Sequence, residues 1–276
     1  MFDMFQLDFM LQAFIISIIV GVLLAYLGVH VVGRGIVFVD LALGQISSLG
    51  VAYSDFIGYG QTIIPIVFAL AGALLMSLIH IKDKRLKLEA IIGIIYAVAS
   101  AATVMLISKT PHGDSDIQEV LFGNILSVSM EQIKLIGIIF SIIALAHLVF
   151  RKKFYELTLN FENNEKRKAG IFNFWNFLFY ISIGLSIVFA VRINGVIPVF
   201  SYLIIPPVCA IMLSRKNSLV VFFAIIFSIA GAFLGLNISY QFDFPAGSSV
   251  VAALGVLFFM ITLIKLIRDY AIPEKQ

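Results

Sequence analysis

Nine long apolar stretches separated by short links constrain this chain more than any other feature of its sequence. They lie at residues 8–32, 37–55, 62–81, 88–108, 133–150, 173–192, 195–213, 218–240 and 247–267. Each approaches or exceeds the roughly 20 apolar residues that a helix needs to cross about 30 Å of hydrocarbon. The stretches are continuous, whereas the strands of a membrane barrel are about ten residues long and alternate in polarity. The sequence therefore predicts an all-α polytopic membrane protein with about nine transmembrane helices.

The composition agrees with a chain whose surface faces lipid. Apolar residues make up 61% of the sequence and charged residues 13%, whereas soluble domains have about half and about a quarter. The longest links, 109–132 and 151–172, are too short to fold alone, so we expect a single transmembrane domain over residues 1–276. No GxxxxGK(S/T), CxxC or HExxH motif occurs, so neither a cofactor site nor catalytic residues are predicted.

Lys and Arg are concentrated in every second link, which predicts an orientation because cytoplasmic loops are enriched in them. The basic links are 33–36, 82–88, 151–172, 214–217 and the C-terminal tail. The Lys and Arg residues of the intervening links amount to Lys109 alone. These links are 1–7, 56–61, 109–132, 193–194 and 241–246. This places the N-terminus outside and the C-terminus in the cytoplasm. If the sixth or seventh stretch is re-entrant, there are eight spans and one terminus changes side.

Four polar residues of the second stretch are candidates for a polar pathway, because burying them in hydrocarbon is costly unless they are paired or face water. They are Asp40, Gln45, Ser47 and Ser48. At about 100° per residue, Asp40 and Ser47 share one helix face, and Gln45 points about 140° away from Asp40. Asp40 and Gln45 are therefore not expected to bind one ion together, whereas Gln45 and Ser48 could line one surface. The alternative is that Asp40 caps the helix or stabilises its first turn through the helix dipole.

Three prolines, Pro198, Pro206 and Pro207, fall inside the seventh apolar stretch. Each removes a backbone donor and kinks or breaks a helix, which is tolerated in a membrane where neighbours or water satisfy the backbone. Broken helices commonly mark translocation pathways, so Pro206 joins the candidate pathway residues. A plain packing kink is the alternative.

Four segments of the chain, taken together, carry a family resemblance. They are residues 38–51, 121–129, 199–212 around Pro206, and 243–247, and they run in order across most of the chain. They resemble the metal-ion permease family of bacterial ABC importers, which are membrane subunits for zinc, manganese or iron uptake. The resemblance implies an all-helical permease that forms a homodimer around a central pathway. It also implies a separate ABC ATPase subunit that hydrolyses ATP, and an extracytoplasmic metal-binding protein that delivers the ion.

The second-span motif departs from the usual pattern of that family. The family usually carries an Asp and a His four residues apart, so that both face a passing cation. In this chain the His position is Gln45, the residue four before it is Leu41, and the acid is displaced to Asp40. The pattern Asp-Leu-Ala-Leu is similar to one branch of the family, so the resemblance stands without the usual ligand pair, and Asp40 remains the candidate metal contact. A neutral amide is a poor zinc ligand, which leaves the metal open among zinc, manganese and iron.

The cytoplasmic link 151–172 holds a second set of family positions. In the family a short coupling helix in this loop docks on the ATPase, with a pattern like Phe-Asp-x-x-x-Ala-x-x-x-Gly. Phe161, Glu162, Lys166 and Gly170 occupy the corresponding places, with Lys166 standing where the family has Ala. The good helix formers after Glu162 and the stop at Gly170 predict a short helix. A basic loop that fixes topology or contacts anionic lipid is the alternative.

Two other functions are considered beside the permease. A secondary transporter without an ATPase would show an intramembrane network for ion coupling or two similar halves, and the sequence offers sparse acids and no evident repeat. An intramembrane enzyme would need paired catalytic residues, and His147 and Glu89 match no known motif. The net charge of +3 comes from the juxtamembrane links, which predicts contact with membrane lipid and none with nucleic acid.

Overall fold

The computed structural model describes residues 3–36, 38–79, 88–109, 120–162 and 173–271, and the regular elements in these ranges are helical. This confirms the all-α prediction. Ten α-helices follow one another along the described ranges, with short 3₁₀ turns at Asp3–Gln6 and Ile125–Ser127. The helices are α1 (Asp8–Gly33), α2 (Val39–Ile57), α3 (Ile63–Leu78), α4 (Leu88–Ile107), α5 (Met130–Val149), α6 (Arg151–Glu162), α7 (Phe174–Asn194), α8 (Val196–Leu213), α9 (Asn217–Phe242) and α10 (Ala246–Ala271).

Each of the nine predicted apolar stretches coincides with one of these helices, and α6 is the additional one. Within the described ranges, seven helices are long and apolar enough to cross a membrane: α1, α4, α5 and α7 to α10. Helix α3 is apolar but has 16 residues, which is about 24 Å at 1.5 Å per residue. Helix α2 has 19 residues but includes Asp40, Gln45 and Asp55. The count of nine spans is therefore approximate.

The chain divides into two compact units. Unit 1 consists of Met1–Val32, Asn124–Gly137 and Ile197–Gln276, and unit 2 consists of Gly33–Gly123 and Ile138–Val196. In unit 1, α9 packs along α10 through small residues, with Gly231 against the Leu254 side chain and Gly235 against the backbone of Val250. Such residues let membrane helices approach closely.

Helix α8 in unit 1 passes through Pro206 and Pro207 without interruption. Of the predicted kink or break at these prolines, the break is therefore absent. Because proline has no amide hydrogen, the carbonyl of Leu203, four residues before Pro207, lacks its usual helical donor. Gly28 of α1 lies against this carbonyl, and a Cβ at Gly28 would overlap its oxygen. The prolines thus mark a close contact between α1 and α8, and the pathway role of Pro206 stays a prediction.

Helix α2 is at the centre of unit 2, where it packs against α3, α4 and α7. Glycines make the contact with α3 close. A Cβ at Gly50 would lie 2.8 Å from the Cα atom of Pro65, and one at Gly72 would lie 2.9 Å from the Ile46 side chain. The small residues of this segment therefore pack closely, as the sequence predicts.

Two contacts within unit 2 agree with the predicted alternation of the links. In unit 2, Arg192 Nη1 donates to Thr62 Oγ1 at 3.4 Å, and both residues border links predicted outside. Arg34 and Asn176 border links predicted in the cytoplasm, and Arg34 Nη1 donates to Asn176 Oδ1 at 3.2 Å. Since Asn176 and Arg192 lie near opposite ends of α7, this helix connects the two sides as a full span would.

Helix α6 changes the interpretation of the link 151–172. Its first twelve residues, Arg151–Glu162, are helical, and the predicted coupling segment 161–170 begins at the last two of them. The side chains of Phe161 and Glu162 lie outside the described residues, as do Lys166 and Gly170 with the rest of residues 163–172. The coupling helix stays a prediction.

Candidate functional site

Helix α2 carries the predicted polar pathway residues, and all four are buried: Asp40, Gln45, Ser47 and Ser48. Asp40, Gly44 and Ser48 are spaced by four and form one row along the helix. A Cβ at Gly44 would lie 3.7 Å from the side chains of Ile187 and Val196. The row therefore faces α7 and Val196 at the start of α8, and Gln45 is buried on another face.

Asp40 is a carboxylate enclosed by protein. Its side chain is 3% exposed, and neither oxygen has a side-chain hydrogen-bond partner among the described residues, whereas the backbone amides of Asp40 and Leu41 interact with the carboxylate. The N-cap of α2 is Phe38, and no side chain caps the helix. Asp40 is therefore not the N-cap residue, but it lies in the first helical turn, where the dipole favours a negative charge, as the alternative interpretation has it. A buried carboxylate without a side-chain partner is costly in an apolar interior unless a proton, water or cation accompanies it.

Two further polar side chains of unit 2 share this property. Ser48 Oγ and both amide atoms of Asn194 are buried without a hydrogen-bond partner in the described part of the chain. Asn194 ends α7, and its side chain is 1% exposed. Val191 and Val196, on either side of it in sequence, both border the Gly44 contact. The sequence marks Asn194 only as a polar residue between two apolar stretches.

The other predicted site residues are elsewhere. Pro206 belongs to unit 1, whereas the α2 residues belong to unit 2. Among the described residues, no group of three or more His, Cys, Asp and Glu side chains is close enough to hold a metal ion. His147 is buried and stacks on Phe154, with ring centroids 4.0 Å apart. Glu89 lies in the first turn of α4.

Sequence reasoning missed a buried cation at the predicted cytoplasmic side of unit 2. Arg34 follows α1 and counts in the sequence only as a basic link residue, yet it is 5% exposed. Its guanidinium carbon lies 3.5 Å from the centroid of the Phe179 ring. Nothing in the local sequence distinguishes it from a solvated juxtamembrane arginine.

A second missed feature is a backbone crossing in unit 2 at the link between α7 and α8. The link is the single residue Gly195, and its backbone packs against residues 121–123. Gly195 and Gly123 both have positive φ, +77° and +70°. A Cβ on either glycine would overlap backbone atoms of the other segment. Gly195 therefore lies in close contact with segment 121–129, one of the four segments that carry the family resemblance.

The model of the ABC 3 transport family matches residues 6–265. The chain belongs to the ABC 3 transport family. The match covers every described helix except the last residues of α10. The resemblance inferred from the four segments is therefore confirmed.

Relatives and a solved structure in this family agree over nearly the whole chain. The manganese transport system membrane protein MntC of Listeria monocytogenes is 29% identical over 94% of this chain and 91% of its own length. A probable iron transport system membrane protein of Haemophilus influenzae is 28% identical with the same coverage. PsaBC from Streptococcus pneumoniae in complex with Fab matches at a TM-score of 0.78 and 26% identity, covering 92% of this chain and 91% of that one. This ABC 3 chain is thus a multi-pass membrane subunit of permease type.

Proposed function

We propose that this permease carries a divalent metal ion, such as zinc, manganese or iron, inward across the bacterial inner membrane. The observation that carries the proposal is the buried Asp40 carboxylate without a side-chain partner among the described residues, in a family whose relatives are named for manganese and iron transport. Asp40 offers a negative charge to a cation in transit. Ser48 Oγ and Asn194 Oδ1 offer neutral oxygen atoms. Oxygen ligands suit manganese better than zinc, which prefers imidazole and thiolate.

The energy source in this proposal is a separate subunit. The sequence has no GxxxxGK(S/T) motif, so ATP would bind and be hydrolysed on a partner ABC ATPase. ATP binding would push the cytoplasmic links, including residues 161–170, and switch the pathway between outward-facing and inward-facing states. An extracytoplasmic metal-binding protein would deliver the ion, and two copies of this chain would enclose the pathway. Exposed apolar side chains on α4, α5 and α10, such as Ile94, Ile142 and Phe259, suit contact with lipid.

Transport by a reconstituted complex tests this function. The chain, its ATPase and its binding protein are placed in lipid vesicles, and accumulation of radiolabelled manganese, zinc and iron is measured with and without ATP. We expect accumulation of at least one of these metals that requires ATP and all three proteins. Accumulation driven by a proton or sodium gradient without ATP would instead establish the secondary transporter.

The proposed orientation has its own test in cells that carry Cys209→Ser. Single cysteines replace the exposed residues Gln61 and Gln241 in links predicted outside, and Glu156 and Ser218 near links predicted inside. A membrane-impermeant thiol reagent should label only the first pair in intact cells, because basic links remain in the cytoplasm. The second pair should react after permeabilisation. Labelling of Glu156→Cys in intact cells would reverse the orientation.

A further inference from the structure

Arg34 is a buried arginine in the turn between α1 and α2, six residues before Asp40. A guanidinium cannot lose its charge in a protein. Taking it out of water is unfavourable unless hydrogen bonds and aromatic faces replace the lost hydration. A residue that only fixes topology gains nothing from such burial, since an exposed basic residue serves the same purpose.

The guanidinium of Arg34 joins two other elements to this turn. Its Nε donates to Thr158 Oγ1 of α6 at 3.3 Å, and its Nη1 donates to Asn176 Oδ1 of α7 at 3.2 Å. Its central carbon lies over the ring of Phe179. The planar fork of arginine supplies these directed bonds at once, which the compact ammonium of lysine does not.

Contacts that do not involve Arg34 hold the α6 side of this interaction in place. The Thr158 hydroxyl donates to the Phe154 carbonyl at 3.0 Å, which leaves its lone pairs to accept from Arg34. Phe154 stacks on His147 at the end of α5. A Cβ at Gly33 would lie only 2.9 Å from Thr158 Cγ2, so the turn and α6 are in close contact. Helix α6 therefore contacts the turn by the packing of Thr158 on Gly33 and by the hydrogen bond from Arg34 to Thr158.

We infer that Arg34 is a positioning residue that clamps α6 to the α1–α2 turn, so that a displacement of α6 moves the start of α2 and Asp40. Helix α6 leads into the segment on which the ATPase is expected to act, and the turn leads into α2. The clamp gives these two segments a direct mechanical connection on one side of unit 2. This inference rests on the proposed function for its role, but the clamp itself does not require that any metal be carried.

Coupling between ATP hydrolysis and uptake is the first test. We expect Arg34→Gln in the reconstituted complex to keep ATP hydrolysis within about twofold, while ions carried per ATP fall at least tenfold. Arg34→Lys should not restore coupling, because it keeps the charge but not the fork. Arg192→Gln is the matched control, an exposed arginine at the other end of α7 that also bonds a threonine. Coupling as tight in Arg34→Gln as in this control would overturn the inference.

A second pair of variants keeps the test decisive if Arg34→Gln does not fold. Thr158→Val keeps the shape of the side chain but removes the acceptor for Nε, whereas Thr158→Ser keeps the hydroxyl. We expect Thr158→Val to lose at least threefold in ions carried per ATP and Thr158→Ser to remain coupled. Equal coupling in both would reject the clamp.

A distance measurement separates the clamp from the transport function. Spin labels are attached to cysteines at Phe38 and Tyr155, both exposed, in the Cys209→Ser chain assembled with its ATPase. With Arg34 present, one narrow distance should persist with and without a trapped ATP analogue. Arg34→Gln should broaden it or make it nucleotide-dependent. A nucleotide-dependent distance in the chain with Arg34 would reject the clamp even if metal is carried, and a fixed distance without any metal uptake would reject only the proposed function.

Discussion

Replacing Gly195 with alanine should abolish accumulation of the folded protein. Gly195 is the only residue between α7 and α8, with φ +77° and ψ 165°, a backbone region that is essentially restricted to glycine. A Cβ there would also overlap backbone atoms of Phe122 and Gly123, which cannot move aside as a flexible side chain can. Backbone strain costs about 1–3 kcal/mol and overpacking costs about 1–3 kcal/mol. Together they should lower the free energy of unfolding by roughly 2–6 kcal/mol.

Other glycines of the chain provide matched controls for this prediction. Gly58 has φ +76°, but a Cβ there would meet no atom within 4 Å, so Gly58→Ala should cost only the left-handed strain, about 1–2 kcal/mol. Gly93 lies within α4, and a Cβ there would also meet nothing within 4 Å, so Gly93→Ala should be neutral or slightly stabilising. Yield of monodisperse protein and its melting temperature in detergent measure the effect. A Gly195→Ala protein as abundant as Gly58→Ala would mean that the crossing is not required.

The helical architecture was predictable because it depends on one strong signal, a long run of apolar residues. Each such run forms a helix, and the burial of the four polar residues of α2 follows from the same reasoning, since their side chains could not face lipid. Helix α6 was not predicted as a separate element. Its residues Arg151–Glu162 are mostly polar, so hydropathy classed them as a link, and the two residues that fasten it, Phe154 and Thr158, are spaced by only one turn.

The site's supporting contacts were not predictable because they join residues far apart in the chain. Arg34 meets Thr158 and Asn176 across more than a hundred residues, and no local pattern encodes that meeting. The close contact between Gly123 and Gly195 also has no local sequence signal, since each glycine alone is typical of an ordinary turn. The break, one of the two outcomes expected at Pro206, did not occur for another reason: a proline removes one hydrogen bond, and that loss alone does not end α8.

Asp40→Asn should remove at least nine-tenths of metal uptake while leaving the amount of inserted protein unchanged. The substitution keeps the size of the side chain and removes its charge. Because Asp40 is not the N-cap of α2 and has no side-chain hydrogen-bond partner among the described residues, folding loses no side-chain contact, and a buried amide is less costly than a buried carboxylate. A cation in transit, in contrast, loses the one formal negative charge that α2 buries. Uptake of radiolabelled metal and immunoblots of the membrane fraction measure the two quantities.

The matched control is Asp55→Asn on the same helix. Asp55 is an exposed carboxylate near the other end of α2, where its Oδ1 accepts a bond of 3.4 Å from Gln61. Since this charge is in contact with solvent, its removal should change uptake by less than about twofold, as expected for a screened surface group. If both variants transport normally, no carboxylate of α2 contacts the ion. If Asp40→Asn is absent from the membrane while Asp55→Asn is present, Asp40 has a structural role, and the route of the ion must be sought at Asn194 and Ser48 instead.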